Sequence, residues 1–165
     1  MKLSAQEEYG LRCLLHMART QKGESLSIPE ISRAEGLSIP NVAKLMRLLR
    51  IGGFVSSVRG QAGGYTLARP AEHITVGEVL ELLGGSLFGT AFCQRHSGVL
   101  EECAHKEDCA VGCLWSTMQH MVENLLKKTT LKDLLRSESE MREWLKSFDG
   151  AGVNAEEAQS LVRTA

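Results

Sequence analysis

The sequence predicts a mainly α protein built as a winged helix-turn-helix, with a small β-hairpin wing and a long helix behind it. Three observations lead there. Apolar residues recur at helical spacing in successive stretches, most of them preceded by a Ser or Thr N-cap. Two short helical stretches are joined by the tight turn Gly36-Leu37-Ser38 and followed at once by the glycine-rich run FVSSVRGQAGGYTLARP. Only 3 prolines and 5% aromatic residues argue against a β-sandwich, while 43% apolar and 24% charged residues are ordinary for a globular chain.

Residues 4–20 read as the first helix. Ser4 stands three before Glu7 in the capping-box pattern. Tyr9, Leu11, Cys13, Leu14, Leu15, Met17 and Ala18 supply its apolar face, which makes Cys13 a core residue rather than a ligand. Ser27 caps a short helix to Glu35, with Pro29 near its first position and Ile28, Ile31 and Ala34 expected to face inward. Gly36 ends it. Ser38 caps the next, which runs to about Arg50 with Val42, Leu45, Met46, Leu48 and Leu49 apolar. After Gly52-Gly53, Phe54, Val55 and Val58 suit a strand, Gly60, Gly63 and Gly64 a tight turn, and Tyr65 to Leu67 the return strand. Thr75 caps a helix from Val76 to Leu83. A long helix is predicted from about Cys109, on Leu114, Met118, Met121, Val122, Leu125 and Leu126. Thr130 and Asp133 mark a further helix start, continued by LKDLL. Residues 137–148 are polar, with Met141, Trp144, Leu145 and Phe148 as anchors, and the tail after Gly150 is expected to be mobile.

The net charge of -1 hides an asymmetry. Residues 1–70 carry ten Lys and Arg against five Asp and Glu, and residues 71–165 carry nine against fifteen. No acidic residue occurs between Gly36 and Arg69, where Lys44, Arg47, Arg50, Arg59 and Arg69 fall. A local basic segment fits a nucleic-acid surface, or a merely solvated basic face. The N-terminus carries Glu7, Glu8 and Arg12 and has no apolar run long enough for a signal peptide or membrane span, so a cytoplasmic protein without membrane association is expected. No nucleophile motif, P-loop or dinucleotide fingerprint occurs, and an enzyme is not expected.

Four of the five cysteines, Cys93, Cys103, Cys109 and Cys113, form a C-x9-C-x5-C-x3-C array. In a reducing compartment such an array points to a metal or cluster rather than to disulfides. Structural zinc sites favour paired C-x2-4-C knuckles, and the chain has no C-x-x-C. The looser spacing suits an iron–sulfur cluster; a 2Fe-2S cluster is expected ahead of a 4Fe-4S one, a choice that the spacing itself does not make. Zinc or a metal-free thiol switch is the alternative. Cys113 lies four after Cys109, on the same helical face, as a fourth ligand or as a buried helix residue. His96 and His105 read most simply as solvated loop residues.

The opening MKLS-x4-YGL-R, the VSSVRGQAGGYTLARP wing, the TVGEVLELLGG helix, the spaced cysteines and the LW…TLKDL ending together resemble the Rrf-type (Rrf-two) family of bacterial winged-helix regulators over about residues 1–136. The resemblance implies a homodimeric transcription factor, usually a repressor, whose long helix is a dimerisation helix. It also implies that Cys93, Cys103 and Cys109 hold an iron–sulfur cluster sensing redox state, nitric oxide or iron supply. Relatives complete the site with a histidine or an acidic residue. The histidine position is Gly112 here, and Glu8, if not simply an exposed carboxylate, stands where some relatives place an acidic ligand from the partner chain. A regulator of the same family that is metal-free or zinc-bound, responding as a thiol switch or to a partner protein or small molecule, is the competing reading.

The expected organisation is a DNA-binding domain at 1–84, a cluster-binding loop at 85–108, the dimerisation helix and a following short helix at 109–136, and a partly mobile extension at 137–165. In helix-turn-helix geometry the start of the recognition helix reaches base edges. That selects Ser38, Ile39, Pro40 and Asn41, with Asn41 suited to adenine and Lys44 and Arg47 to phosphates. Arg59 at the wing tip is suited to a minor groove, with Gln61 adding a polar contact. The expected partner is a roughly palindromic double-stranded DNA operator.

Overall fold

The computed structural model describes residues 3–20, 24–60, 63–85 and 109–147. Three helices come first: α1 (Ala5–Arg19), α2 (Ile28–Glu35) and α3 (Ile39–Ile51). The hairpin β1 (Val55–Val58) and β2 (Gly64–Leu67) follows, then a 3-10 turn at Ala71–His73 and α4 (Val76–Gly84). Beyond residue 108 come α5 (Ala110–Lys128), a second 3-10 turn at Asp133–Leu135 and α6 (Glu138–Lys146). No helix among the described residues is long and apolar enough to cross a membrane.

Capping decides where most helices begin. Ser4 and Glu7, Ser27 and Glu30, Thr75 and Glu78, and Ser137 and Glu140 each form a reciprocal box in which side chain and backbone exchange hydrogen bonds. Gly36 ends α2 at φ 65°, a left-handed geometry that costs a Cβ-bearing residue energy. The tight turn into α3 depends on it.

One core holds these elements together. Cys13 and Leu14 of α1, Ile31 of α2, Leu45, Met46 and Leu49 of α3, and Val79 and Leu83 of α4 are buried in it, as is Leu131 from beyond α5. Each fully buried Leu or Ile contributes about 1.5–3 kcal/mol by leaving water. The inward face of α2 is the expected one at Ile28 and Ile31 but not at Ala34. Ile31 is buried, but Ala34 is exposed, because Arg12 of α1 draws Glu35 against α1 and so fixes the rotation of the helix.

The hairpin pairs antiparallel from Val55 opposite Leu67 to Val58 opposite Gly64. Leu26 adds a one-residue third strand, exchanging backbone hydrogen bonds with Tyr65 at 2.9 and 2.8 Å. Arg69 fastens the base of the wing to α4, with Nη2 3.0 Å from Glu78 Oε1 and its guanidinium over the Phe54 ring.

Thr75 and Thr130 form an antiparallel bridge, flanked by Val76 N–H to Thr129 O and Leu131 N–H to Ile74 O. The entrance to α4 is thereby joined to the exit from α5, and Gly77 lies against the Leu126 backbone. The helix expected from Thr130 is only the 3-10 turn. Thr130 and Asp133 do bond reciprocally, but Arg136 then leads straight to Ser137, whose own capping box starts α6.

Candidate nucleic-acid interface and cysteine site

α3 stands on the core through Val42, Leu45, Met46 and Leu49. Its other face presents Pro40, Lys44, Arg47 and Arg50 to solvent, with Ile39 also exposed and Asn41 half-buried beside them. Its start differs from those of α1, α2, α4 and α6. Ser38 is the N-cap residue, yet its hydroxyl makes no cap hydrogen bond, and the first turn holds no acidic side chain. The box is missing because the third helical position is Asn41, where the other four have Glu. The amide dipoles at this end therefore meet no carboxylate of their own helix.

Arg59 is exposed at the end of β1, at the turn, while Gln61 lies outside the described residues. Lys44, Arg47, Arg50 and Arg59 make no ion pair among the described residues, whereas Arg69 is committed to Glu78. The basic run thus divides into four cations on the recognition helix and wing and one inside the fold. Charge along the chain could not show this division, because Glu78 is a neighbour only after folding.

Of the cysteine array, Cys109 and Cys113 are described, and Cys93 and Cys103 lie outside the described residues, as do His96 and His105. Cys109 is the N-cap of α5. Its Sγ accepts a hydrogen bond from Gly112 N–H at 3.2 Å. Cys113 follows one turn later, its N–H bonded to Cys109 O at 3.0 Å, and it is exposed rather than buried in a helix interface of the protomer. The donor set suits a soft metal, being a half-buried thiol at a helix head with a second, exposed thiol four residues on. Among the described residues no three His, Cys, Asp or Glu side chains converge as a metal group. Cys13 is apart from this chemistry. It is fully buried in the core, and burial, with the Glu35 carboxylate adding to it, pushes its thiol up to about 11.

α5 itself buries none of its residues, and Val111, Leu114, Trp115, Met118 and Met121 are exposed along one side. At 1.5 Å per residue roughly 25 Å of α5 separates Leu126, its contact with α4, from Cys109. The stretch of α4 from Gly77 to Gly84 covers only roughly 11 Å. The first turn of α1 meets the end of α4, where Gln6 Nε2 donates to Leu83 O at 2.5 Å and the buried Glu7 lies against Gly84. Glu8 is exposed on that same turn.

A family model, Rrf2, iron-dependent transcriptional regulator, matches residues 3–137. The chain belongs to the Rrf2 family. The Escherichia coli HTH-type transcriptional regulator IscR is 30% identical over 138 residues, covering 84% of this chain and 82% of that protein. The solved structure of CymR, the global cysteine regulator of B. subtilis, aligns with TM-score 0.65 and 31% identity over 82% of this chain and 96% of its own. T. potens IscR aligns with TM-score 0.63 and 26% identity over 92% and 93%. These Rrf2 relatives are transcriptional regulators and not enzymes, and this chain is a DNA-binding transcriptional regulator of the same winged-helix build.

Proposed function

We propose that this Rrf2 chain is a homodimeric repressor that reads a roughly palindromic double-stranded DNA operator. Its signal is redox state, nitric oxide or iron and cluster supply, sensed through an iron–sulfur cluster, 2Fe-2S favoured over 4Fe-4S, held by Cys93, Cys103 and Cys109. The observation that carries the reading is Cys109 at the N-cap of α5, a helix that buries none of its residues and has one apolar side exposed. A second copy laid along Val111, Leu114, Trp115 and Met118 would bury that side.

On the DNA side Ser38, Ile39, Pro40 and Asn41 face base edges, and Lys44 and Arg47 face phosphates. Arg59 enters a minor groove, with Gln61 beside it. Support comes from the acid-free start of α3 and from four cations that no carboxylate of the chain engages among the described residues.

For the fourth ligand, Glu8 of the partner subunit and Cys113 are the two candidates. Glu8 is exposed on the first turn of α1, which meets the end of α4. Cys113 needs no second chain. When bound, a cluster supplies a redox-active, nitric-oxide-reactive iron centre. The chain's own part is to present the thiolates and to read what happens at them. Cys109 caps α5, so a change at its sulfur alters the Gly112 N–H bond and the first turn of the helix.

The second reading, a metal-free or zinc-bound thiol switch, is favoured by the exposure of Cys113 one turn from Cys109 and by the likeness to the cysteine regulator CymR. Purification without oxygen separates the two. The cluster reading expects brown protein absorbing between about 320 and 460 nm, with iron and sulfide in equal amounts. Colourless protein with stoichiometric zinc, or with no metal, would favour the switch. For the DNA reading, Arg59→Ala should weaken operator binding more than tenfold at unchanged cluster content. Unchanged affinity would remove the wing from the interface.

A further inference from the structure

We infer that Ile39, with Pro40 beside it, reads the 5-methyl group of thymine in the major groove. This rests on the DNA-reading function proposed above and names what the recognition helix recognises.

Ile39 is the first residue of α3 and is 54% exposed, whereas Leu45, Met46 and Leu49 of the same helix are fully buried. Ile51 is exposed too, but at the opposite end of the helix, roughly 18 Å away at 1.5 Å per residue. Pro40 follows Ile39 and is exposed, and Ala43 lies one turn on, so the tip of the helix carries a small apolar surface. Lys44, Arg47 and Arg50 continue the exposed face, and the chain has no acidic residue from Leu37 to Ala68. An apolar tip inside a one-sign basic surface is complementary to a polyanion that offers an apolar group. A positively charged rim of this kind would not favour a hydrophobic protein segment.

Double-stranded DNA meets that description at one kind of base. The thymine C5-methyl is the apolar group that the four standard bases show in the major groove, the remaining edges being donors and acceptors. The hydrogen-bonding side chains nearest the tip are Ser38, whose hydroxyl is not used in a cap, and Asn41, which is half-buried. The side chains of Ile39 and Pro40 have no hydrogen bond to offer. Their contribution to sequence choice is therefore methyl contact, which distinguishes thymine from uracil. One buried methyl corresponds to about a fourfold change in affinity.

The test uses the full chain. Duplex sites are selected from a random library, and each thymine of the selected site is replaced singly by deoxyuridine for anisotropy titration. Replacement at one thymine per half-site should weaken binding about fourfold. Ile39→Ala should bind the thymine and uracil duplexes equally, and Ile39→Val should keep part of the preference. Thermal melting of both variants should stay within about a degree or two of the parent, since Ile39 is exposed. The inference is overturned if no replacement changes affinity, or if Ile39→Ala keeps the parent's thymine-to-uracil ratio. Failure to enrich any sequence would overturn it by removing the DNA-reading function itself.

Discussion

Arg12 holds Glu35 twice, with Nε 2.9 Å from the carboxylate and Nη2 donating to the backbone carbonyl at 2.6 Å. Glu35 is the last residue of α2, immediately before the Gly36 turn that launches α3, and His16 Nδ1 stands 3.7 Å from its other oxygen. The first helix thus grips the end of the helix that precedes the recognition helix. Arg12→Ala should lower stability by about 1 kcal/mol, the guanidinium being partly exposed. Arg12→Lys should recover less than half, because an ammonium cannot serve both acceptors in this fork geometry. Urea unfolding of the two variants measures this, and an unchanged midpoint for Arg12→Ala would show that the grip adds nothing.

Leu131 lies beyond α5 in sequence yet is fully buried in the core with α1, α2 and α3. Leu131→Ala should cost about 2–5 kcal/mol, as for other large-to-small core changes. A cost of that size in chemical unfolding would mean that the winged module is completed by residues more than fifty positions after the wing. A cost under 1 kcal/mol would mean that the return segment packs loosely.

Glu78 carries the base of the wing and the start of α4 at once. Partial burial opposes its ionisation, but hydrogen bonds from Thr75 and Arg69 outweigh this and hold its carboxyl below the ordinary value of 4.5. Such a group stabilises the fold fully above its unfolded pKa, and the contribution fades as pH falls through the lowered folded value. The stability gap between the parent and Glu78→Gln should therefore be widest above about pH 5 and narrow toward pH 3. A gap that stays constant across that range would remove Glu78 from the acid response.

Two thiols at opposite extremes allow a simple chemical check. Cys13 is fully buried with its thiol raised to about 11, and Cys113 is exposed. Iodoacetamide at pH 8 should label Cys113 long before Cys13 in the metal-free native protein, with Cys13 labelled only on unfolding. Peptide mass spectrometry reads the order. Early labelling of Cys13 would mean that the α1 core opens far below global unfolding.

Met118→Glu places a charge in the exposed apolar side of α5. In the homodimer proposed above, it should convert dimer to monomer in sedimentation experiments and lower operator affinity at least tenfold, with little change in the helical content of the protomer. A variant that stays dimeric would move the interface away from this face.

Most of the local structure is legible in the sequence because it is decided locally. The boxes at Ser4, Ser27 and Thr75 set helix starts within a residue or so, and the glycines set the turns. What the sequence hides is non-local. The one-residue strand at Leu26 exists only because Tyr65 comes beside it. Ala34 turns outward because Arg12 captures Glu35. Arg69 looks like one more DNA cation until Glu78 takes it up. In the candidate sites, residue types and spacing selected Lys44, Arg47, Arg59 and Cys109, but not the absent cap at Ser38 or the reach of α5 beyond α4. Those depend on how far each helix extends past its packing partner, which periodicity does not encode.

The Thr75–Thr130 bridge ties the two ends of the α4–α5 excursion into a neck. The excursion still sends Val79 and Leu83 of α4 into the core of the winged module, which Ile74 closes on one side of the neck and Leu131 on the other. No cysteine takes part in closing that neck, so replacement of Cys109 or Cys113 should leave the module that carries the recognition helix folded. On the function proposed above, the reader would thus keep its shape whatever happens at the thiols that report the stimulus.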